Sequence, residues 1–502
     1  MVASRFRRAA ICLPVLTGCT VNAAQFVTYE AFGAVGDGKA DDLPAIVKAH
    51  AHANERGLPV RTNPNATYHL GRQALTAVIQ TNTDWSTSKF IIDDSQGVED
   101  LRLQLFDVTS RLEEVDLKID SLTSGQTQLD VRPPVDCFVY VENSKRRLFI
   151  RRGGNQNSGT VQQEPFILRS DGKIEGGIDW DYDTVTDVMV QPIDTEPLII
   201  RGGIFTNIAN RCTSNRYWGR NITIRRSNTG IDAVTLKVTG ETDVGSPYAG
   251  FLSASRCAYV TFRNCRIDGR KTYDKIGNAG TTVPMGTYGY SANGVMHFRM
   301  TGCKMDDIHD RTRWGIIATN FMKNILIEDC ELSRMDVHQG ASGDFIIRRS
   351  KLGHAGLNVI GRGRLIVEDS TLTCRHLVDF RKDYGSTWQG DVLIRNSRWT
   401  ALERKSVMFG INNDGTHDFG YPCFMPRLIR IEGLVVDDSK LGRNHKGVRF
   451  FDNPLPGAQK DRPFPIHLTE KIEVSGIETT SGITPQVSSN PEVAEAIKVV
   501  FN

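Results

Sequence analysis

One six-residue pattern recurs along the chain: an apolar residue, two polar or glycine residues, a small residue, any residue, then an apolar residue. It reads Ile200-Arg201-Gly202-Gly203-Ile204-Phe205, then Ile224-Arg225-Arg226-Ser227, Phe262-Arg263-Asn264-Cys265-Arg266-Ile267 and Met300-Thr301-Gly302-Cys303-Lys304-Met305. It continues as Ile327-Glu328-Asp329-Cys330-Glu331-Leu332, Ile347-Arg348-Arg349-Ser350-Lys351-Leu352, Val367-Glu368-Asp369-Ser370-Thr371-Leu372 and Ile394-Arg395-Asn396-Ser397-Arg398-Trp399. The small residue advances in steps of 24, 38, 38, 27, 20, 20 and 27 residues. Periods near 20 with strand chemistry predict a β-solenoid. Each coil points alternate residues inward, and stacking at about 4.8 Å puts equivalent residues in ladders. Cys265, Cys303 and Cys330 then form a ladder of small buried side chains. Steps longer than 20 predict loops, and those after Cys265 and before Cys330 should wall one side of the rod.

The flanking segments read differently. Gly36-Asp37-Gly38 is a turn, and Asp41 or Asp42 can cap a helix carrying Ala45, Ile46, Ala49 and Ala53 at helical spacing. Gly57-Leu58-Pro59-Val60 ends it, so residues 24–60 are expected to cover the open end of the rod, whose bare strand edge would otherwise invite aggregation. Leu101, Leu105, Val108, Leu112, Val115, Ile119 and Leu122 fit a heptad, but Leu101, Leu103 and Leu105, and Val115, Leu117 and Ile119, also alternate; the β-rich surroundings favour strands. Residues 61–485 are assigned to the solenoid, 130–195 to irregular coils or a small β insertion, and 486–502 to a tail.

The extreme N-terminus changes the compartment. Arg5, Arg7 and Arg8 precede an apolar run from Ala9 to Thr17, which reads as an export signal over residues 1–23. Leu16-Thr17-Gly18-Cys19 resembles a bacterial lipobox that would lipidate Cys19, while Val21-Asn22-Ala23 fits ordinary cleavage. The protein is therefore expected outside the cytoplasm, as a periplasmic, outer-membrane lipoprotein or secreted chain. It would meet a membrane only through that lipid. A net charge of +3 with both signs dispersed argues against nucleic acid as a partner. No cysteine pair has CxxC spacing, which argues against a zinc or redox site.

Phe32-Gly33-Ala34-Val35-Gly36-Asp37-Gly38, with Asp41-Asp42 and the Ala-rich helix, resembles the opening of pectate-lyase-like and polygalacturonase-like proteins. That resemblance implies an all-β, single-stranded right-handed parallel β-helix with an N-terminal capping helix, and a polysaccharide partner. It does not select the reaction. Asn228-Thr229-Gly230-Ile231-Asp232 is a poor version of the polygalacturonase signature. Asp336-Val337-His338, Ile346-Ile347-Arg348-Arg349-Ser350 and Gly356-Leu357-Asn358 resemble the active-site coil of mannuronan C5-epimerases. This implies Asp336 and His338 as a catalytic pair. Val337 stands in place of that family's proline, and Ser333-Arg334-Met335 supplies no tyrosine.

Counting forward from each small residue gathers polar groups on successive coils. Asp306, Asp307, His309, Asp310 and Arg311 follow Cys303; Arg334, Asp336 and His338 follow Cys330; His354 and Asn358 follow Ser350; His376, Asp379, Arg381 and Asp383 follow Ser370. Arg311, His338 and Asn358 share an offset of eight and are expected to line one stripe, with Trp314 and Trp388 beside it for stacking on sugar rings. Three chemistries compete. In uronate β-elimination, or less favourably C5-epimerisation, His338 is the base, Asp336 orients it, and Arg334 or Arg381 stabilises the enolate-like charge, with Asp307 nearby. A hydrolase would need paired carboxylates about 5–9.5 Å apart, such as Asp307 or Asp310 with Asp336. A glycan-binding adhesin or spike would use His309, Asp310, Arg311, Trp314, His354, Asn358, Asp379 and Trp388 without catalysis. None of these requires a cofactor. Calcium on Asp306, Asp307 and Asp310 stays open, though without calcium-loop spacing. Oligomeric state is not legible.

Overall fold

The apolar residue that opens each repeat occupies one continuous ladder, except that Ile224 pairs with Val108 and Ala254 on another face and Ile231 takes its rung. In the computed structural model Ile200, Ile231, Phe262, Met300, Ile327, Ile347, Val367, Ile394, Ile431 and Val474 are successive cross-strand partners in parallel register. All ten are buried. The structure describes residues 26–71, 73–93, 103–151, 158–209, 219–240, 249–267, 272–278, 282–286, 288–311, 316–412, 417–442, 444–455 and 464–502. Within them the parallel strands of the coils join in a single 24-stranded sheet that closes around this core. No helix among the described residues is long and apolar enough to cross a membrane.

The polar and small positions of the repeat have a backbone cause. Asn264, Gly302, Asp329, Asp369 and Asn396, each just before the small residue, adopt left-handed φ values of 53°, 65°, 54°, 50° and 45°. Asn, Asp and Gly tolerate that region best. The turn drives the next side chain into the interior, where only a small one fits. Its hydroxyl also ties coil to coil: Ser350, Ser370 and Ser397 accept the N–H of Cys330, Ser350 and Ser370 at 3.0, 3.1 and 3.2 Å. Cys265, Cys303 and Cys330 are buried thiols in the same row. Charges on the outer face pair between coils, as Arg349–Asp329 at 2.8 Å, Arg395–Glu432 at 2.7 Å and Arg430–Glu473 at 2.8 Å. Replacing Ile327 with Asp should cost more than about 3 kcal/mol, because an unpaired carboxylate would enter the ladder. Chemical denaturation of the variant measures it.

The rod is closed at one end by the helix Leu43–Arg56, which buries Leu43, Ala45, Ile46, Ala49, His50 and Ala53. Asp41 supports its first turn, accepting the Leu43 N–H at 3.2 Å. Asp42 instead holds the preceding loop through the Val35 N–H at 2.7 Å. Trp85 Nε1 donates to the Tyr29 hydroxyl at 2.8 Å, and Tyr29 bonds His50 at 2.8 Å, pinning helix to first coils.

Three expectations change. Within residues 101–122, the only strand among the described residues is Phe106–Val108; the chain beyond it is irregular and leads into an insertion. Of the two readings for residues 130–195, irregular coils give way to the small β insertion: Cys137–Leu148, Thr160–Leu168, Ile174–Glu175 and Asp187–Pro192 form an antiparallel four-stranded sheet. Its core holds Val139, Val141, Phe166, Tyr182 and Val190, while Phe138 and Tyr140 on the opposite face pack on Ala258 and Met296 of the solenoid. Burial of both faces removes the alternation that would have marked this strand. The 486–502 segment is not a loose tail. Helix Pro491–Ala496, capped by Asn490, delivers strand Lys498–Phe501 onto Lys471–Thr479 as a further parallel rung.

Candidate active site

Strand Glu331–Arg348 alternates at its head: Met335 and Val337 enter the core, which puts Arg334, Asp336 and His338 on the outer face. Asp336 is nevertheless fully buried, because other charged groups cover it. Arg334 Nη2 and Arg381 Nη1 each donate to Asp336 Oδ1 at 2.8 Å, and His338 Nε2 lies 2.6 Å from Oδ2. Arg381 follows strand Val378–Phe380, where a 3-10 turn over Lys382–Tyr384 brings Asp383 back against it. Its Nε and Nη2 reach the two Asp383 oxygens at 3.1 and 2.9 Å. Arg151, from the insertion, reaches Asp383 Oδ2 at 2.9 Å. The Tyr384 ring receives both guanidinium groups, 5.6 Å from Arg151 and 5.5 Å from Arg381. Tyr288 stands edge-on to His338, ring centres 5.9 Å apart.

These contacts assign protons. Burial alone would push the Asp336 carboxyl up, but Arg334, His338 and Arg381 outweigh it and hold it well below the usual carboxylate range. An ionised carboxylate only accepts, so the tautomer with the hydrogen on Nε2 is the one that suits this 2.6 Å contact, although its angle falls short of a well-aligned hydrogen bond. Burial also pushes the His338 pKa down, with Arg381 and Arg334 adding to the effect and Asp336 opposing it. The ring is then neutral near pH 7, with Nδ1 as its basic nitrogen. About a quarter of the side chain, 26%, is open to water. Among the described residues that pair within this network, three guanidinium groups face two carboxylates, a formal excess of one positive charge while His338 is neutral. If His338 works as a base, the acid limb of kcat/KM should inflect below about 6.5, the free histidine value. The sign follows because protonation on the acid side removes the base. A pH–rate profile checks it.

The other expected residues sit elsewhere. Asn358 is the cross-strand partner of Asp336, not of His338, because the strand Lys351–Val359 carries two extra residues between Leu352 and Gly356. The stripe of Arg311, His338 and Asn358 is therefore out of line; Asn358 donates to the Ala355 carbonyl at 2.8 Å, and Asp379 follows it in register. Asp307 occupies a turn with φ 50°, and its carbonyl accepts the Asp310 N–H at 2.8 Å. The same turn packs on His354, whose N–H donates to the Ile308 carbonyl at 3.1 Å. Burial lowers the pKa of His354, within the field of Arg311, Asp310 and His309. Trp388 cannot stack on a sugar: it points inward, fully buried beside Phe380, because it pairs with Gly361 on the core-facing row. Trp314 and Cys19 lie outside the described residues. Among the described residues no three His, Cys, Asp or Glu side chains are placed to share a metal ion.

Sequence reasoning missed Tyr288, Tyr384 and Arg151. Tyr288 shares a cross-strand row with Arg334, two coils away, but the inserted hairpin Thr272–Asn278/Thr282–Gly286 hides its register. It also missed a cleft of about 280 Å³ where the insertion meets the solenoid. The floor of that cleft is an ion cluster: Lys323 Nζ lies 2.7 Å from Glu164, 3.1 Å from Asp179 and 2.7 Å from the Gly177 carbonyl. Burial pushes the Glu164 carboxyl up against the opposing pull of Lys323.

No protein-family model matches the chain, and no curated protein matches it in sequence. Among solved structures, the tailspike gp61 of Pseudomonas phage phi297 aligns with a TM-score of 0.51 at 13% identity, covering 94% of this chain and 83% of that one. The tailspike gp49 of Pseudomonas phage LKA1 aligns with a TM-score of 0.51 at 14% identity, covering 94% and 84%. The likeness is one of fold, and with the all-parallel coils described above it makes this chain a right-handed parallel β-helix protein.

Proposed function

We propose that the protein acts on an acidic, uronate-containing polysaccharide by removing the C5 proton, as a lyase in the first instance and an epimerase in the second. The observation that carries this reading is geometric: His338 Nε2 lies 2.6 Å from the buried Asp336 carboxylate, which Arg334 and Arg381 also bind at 2.8 Å, an arrangement suited to a neutral imidazole base in positive surroundings. His338 Nδ1 takes the proton, and the electron pair moves into the neighbouring carboxylate as an enolate. The positive surroundings of Arg334 and Arg381 stabilise that charge; both already bind Asp336, so they act as a field more than as a dedicated clamp. In elimination the C4–O bond then breaks, and the Tyr288 phenol beside His338 is the group suited to protonate the leaving oxygen. A hydrolase would need a protonated carboxylic acid, whereas Asp336 and Asp383 both have pKa values lowered by arginine.

Such a substrate lies outside the cytoplasm, and we read residues 1–23 as the export signal, with Cys19 as the lipid site if the lipobox is used. The test is incubation with a panel of acidic and neutral polysaccharides, following ultraviolet absorbance of an unsaturated product together with reducing ends. A lyase raises both. Reducing ends without absorbance would replace this reading with hydrolysis. Binding with neither signal, and no inversion at C5, would replace it with a glycan-binding spike.

A further inference from the structure

We propose that the cleft between the insertion and the solenoid is a second sugar site, taking an uncharged pyranose of the same polymer, so that the substrate is a heteropolysaccharide mixing neutral and acidic residues. The inference rests on the acidic-polysaccharide reading above for what occupies the His338 centre. The occupant of the cleft is set by the cleft's own walls.

Its volume, about 280 Å³, is near the lower end of small-ligand sites, roughly 300 Å³, which suits one or two sugar rings. The insertion contributes Arg146, Gln163 and Asp181, and the solenoid Arg362, Gln389 and Phe424. A pyranose presents an apolar C–H face and a rim of hydroxyls. Aromatic surface beside planar amide and guanidinium groups matches both. The walls are also held in place before any ligand arrives. The Arg362 guanidinium carbon sits over the Trp180 ring, 3.9 Å from its centre, and the side chain donates to the Asp179 carbonyl. Asp179 is fixed in turn by Lys323 at 3.1 Å and by the Ser342 hydroxyl at 2.7 Å. Such preorganisation lowers the ordering cost of binding.

Charge separates this cleft from the His338 centre. Arg146, Lys323 and Arg362 are balanced by Glu164, Asp179 and Asp181, so the lining is formally neutral, whereas the centre keeps one positive charge. An anion gains nothing in the cleft that it would not gain more strongly beside Arg334 and Arg381. The two sites share structure. Phe149 lines the cleft and packs on Tyr384, its ring 6.4 Å away, and Arg151 two residues later binds Asp383. Gly340, Ala341 and Ser342 of the cleft follow His338 on one strand.

The experiment uses full-length His338→Ala protein, so that binding is read without turnover. Isothermal titration is run with homopolymeric uronates, with acidic heteropolysaccharides containing neutral residues, and with neutral oligosaccharides. The proposal expects some heteropolysaccharides to bind at least about tenfold more tightly than any homopolymer. Adding Arg146→Ala and Gln389→Ala, both at exposed positions, should remove that advantage and leave homopolymer affinity and the melting temperature unchanged. Equal affinity for both polymer classes, or an advantage that survives the cleft variants, overturns it. If neutral oligosaccharides alone bind, and the cleft variants abolish this, the acidic-substrate reading fails and the cleft remains a sugar site.

Discussion

Replacing His338 with alanine should lower turnover on the identified polysaccharide by about 100-fold or more, since general base catalysis typically supplies 10²–10⁴. Folding should be unaffected, because the ring lies on the outer face of its strand with 26% of its side chain open to water. Asp336→Asn is the more informative partner. It removes the one group that raises the His338 pKa and leaves Arg334 and Arg381 without their shared carboxylate. Residual activity should therefore be low, and its acid limb should move to lower pH than in the wild type. It should also destabilise the protein, by about 3–5 kcal/mol, as removal of a buried ionic partner does. Steady-state kinetics with parallel denaturation curves separates the two effects. Full activity in both variants would put the chemistry elsewhere.

The largest effect on stability away from the site should come from Lys323→Ala. Its ammonium is fully buried between Glu164 and Asp179, and it bridges the solenoid strand Ile316–Glu328 to the insertion. Removing it leaves the buried Glu164 carboxylate and the partly exposed Asp179 without their counter-charge, at a cost of about 3–5 kcal/mol. Removing both partners, as Lys323→Met with Glu164→Gln, should recover part of that loss, since a neutral pair leaves less charge uncompensated. Denaturation of the single and double variants measures the coupling. A single variant within about 1 kcal/mol of wild type would mean that the cluster does not clamp the insertion.

Much of this was legible in the chain. The solenoid announced itself because its turn takes a left-handed residue and then a small one, so Asn264-Cys265, Asp329-Cys330 and Asp369-Ser370 recur, although Arg349 adopts the same turn before Ser350. Arg334, Asp336 and His338 were legible as a group because alternate residues of a strand share a face. The failures are local. Two extra residues before Gly356 broke the counting that aligned Asn358 with His338, and distance from the last small residue could not tell that Trp388 faces inward. The antiparallel insertion stayed hidden because Phe138–Val141 is buried on both faces and reads as a plain apolar run. With it went the cleft and Arg151, which depend on contacts between Cys137–Leu148, Thr160–Leu168 and coils far away in sequence.

The central claim is that a C5 proton is removed at His338. The most direct measurement compares turnover of a substrate carrying deuterium at C5 of its uronate with that of the ordinary polymer, under single-turnover conditions where release is not limiting. Proton removal at His338 predicts slower reaction of the deuterated polymer by the wild-type protein, with the deuterium absent from that carbon in the product. Equal rates with the deuterium retained at C5 would contradict it.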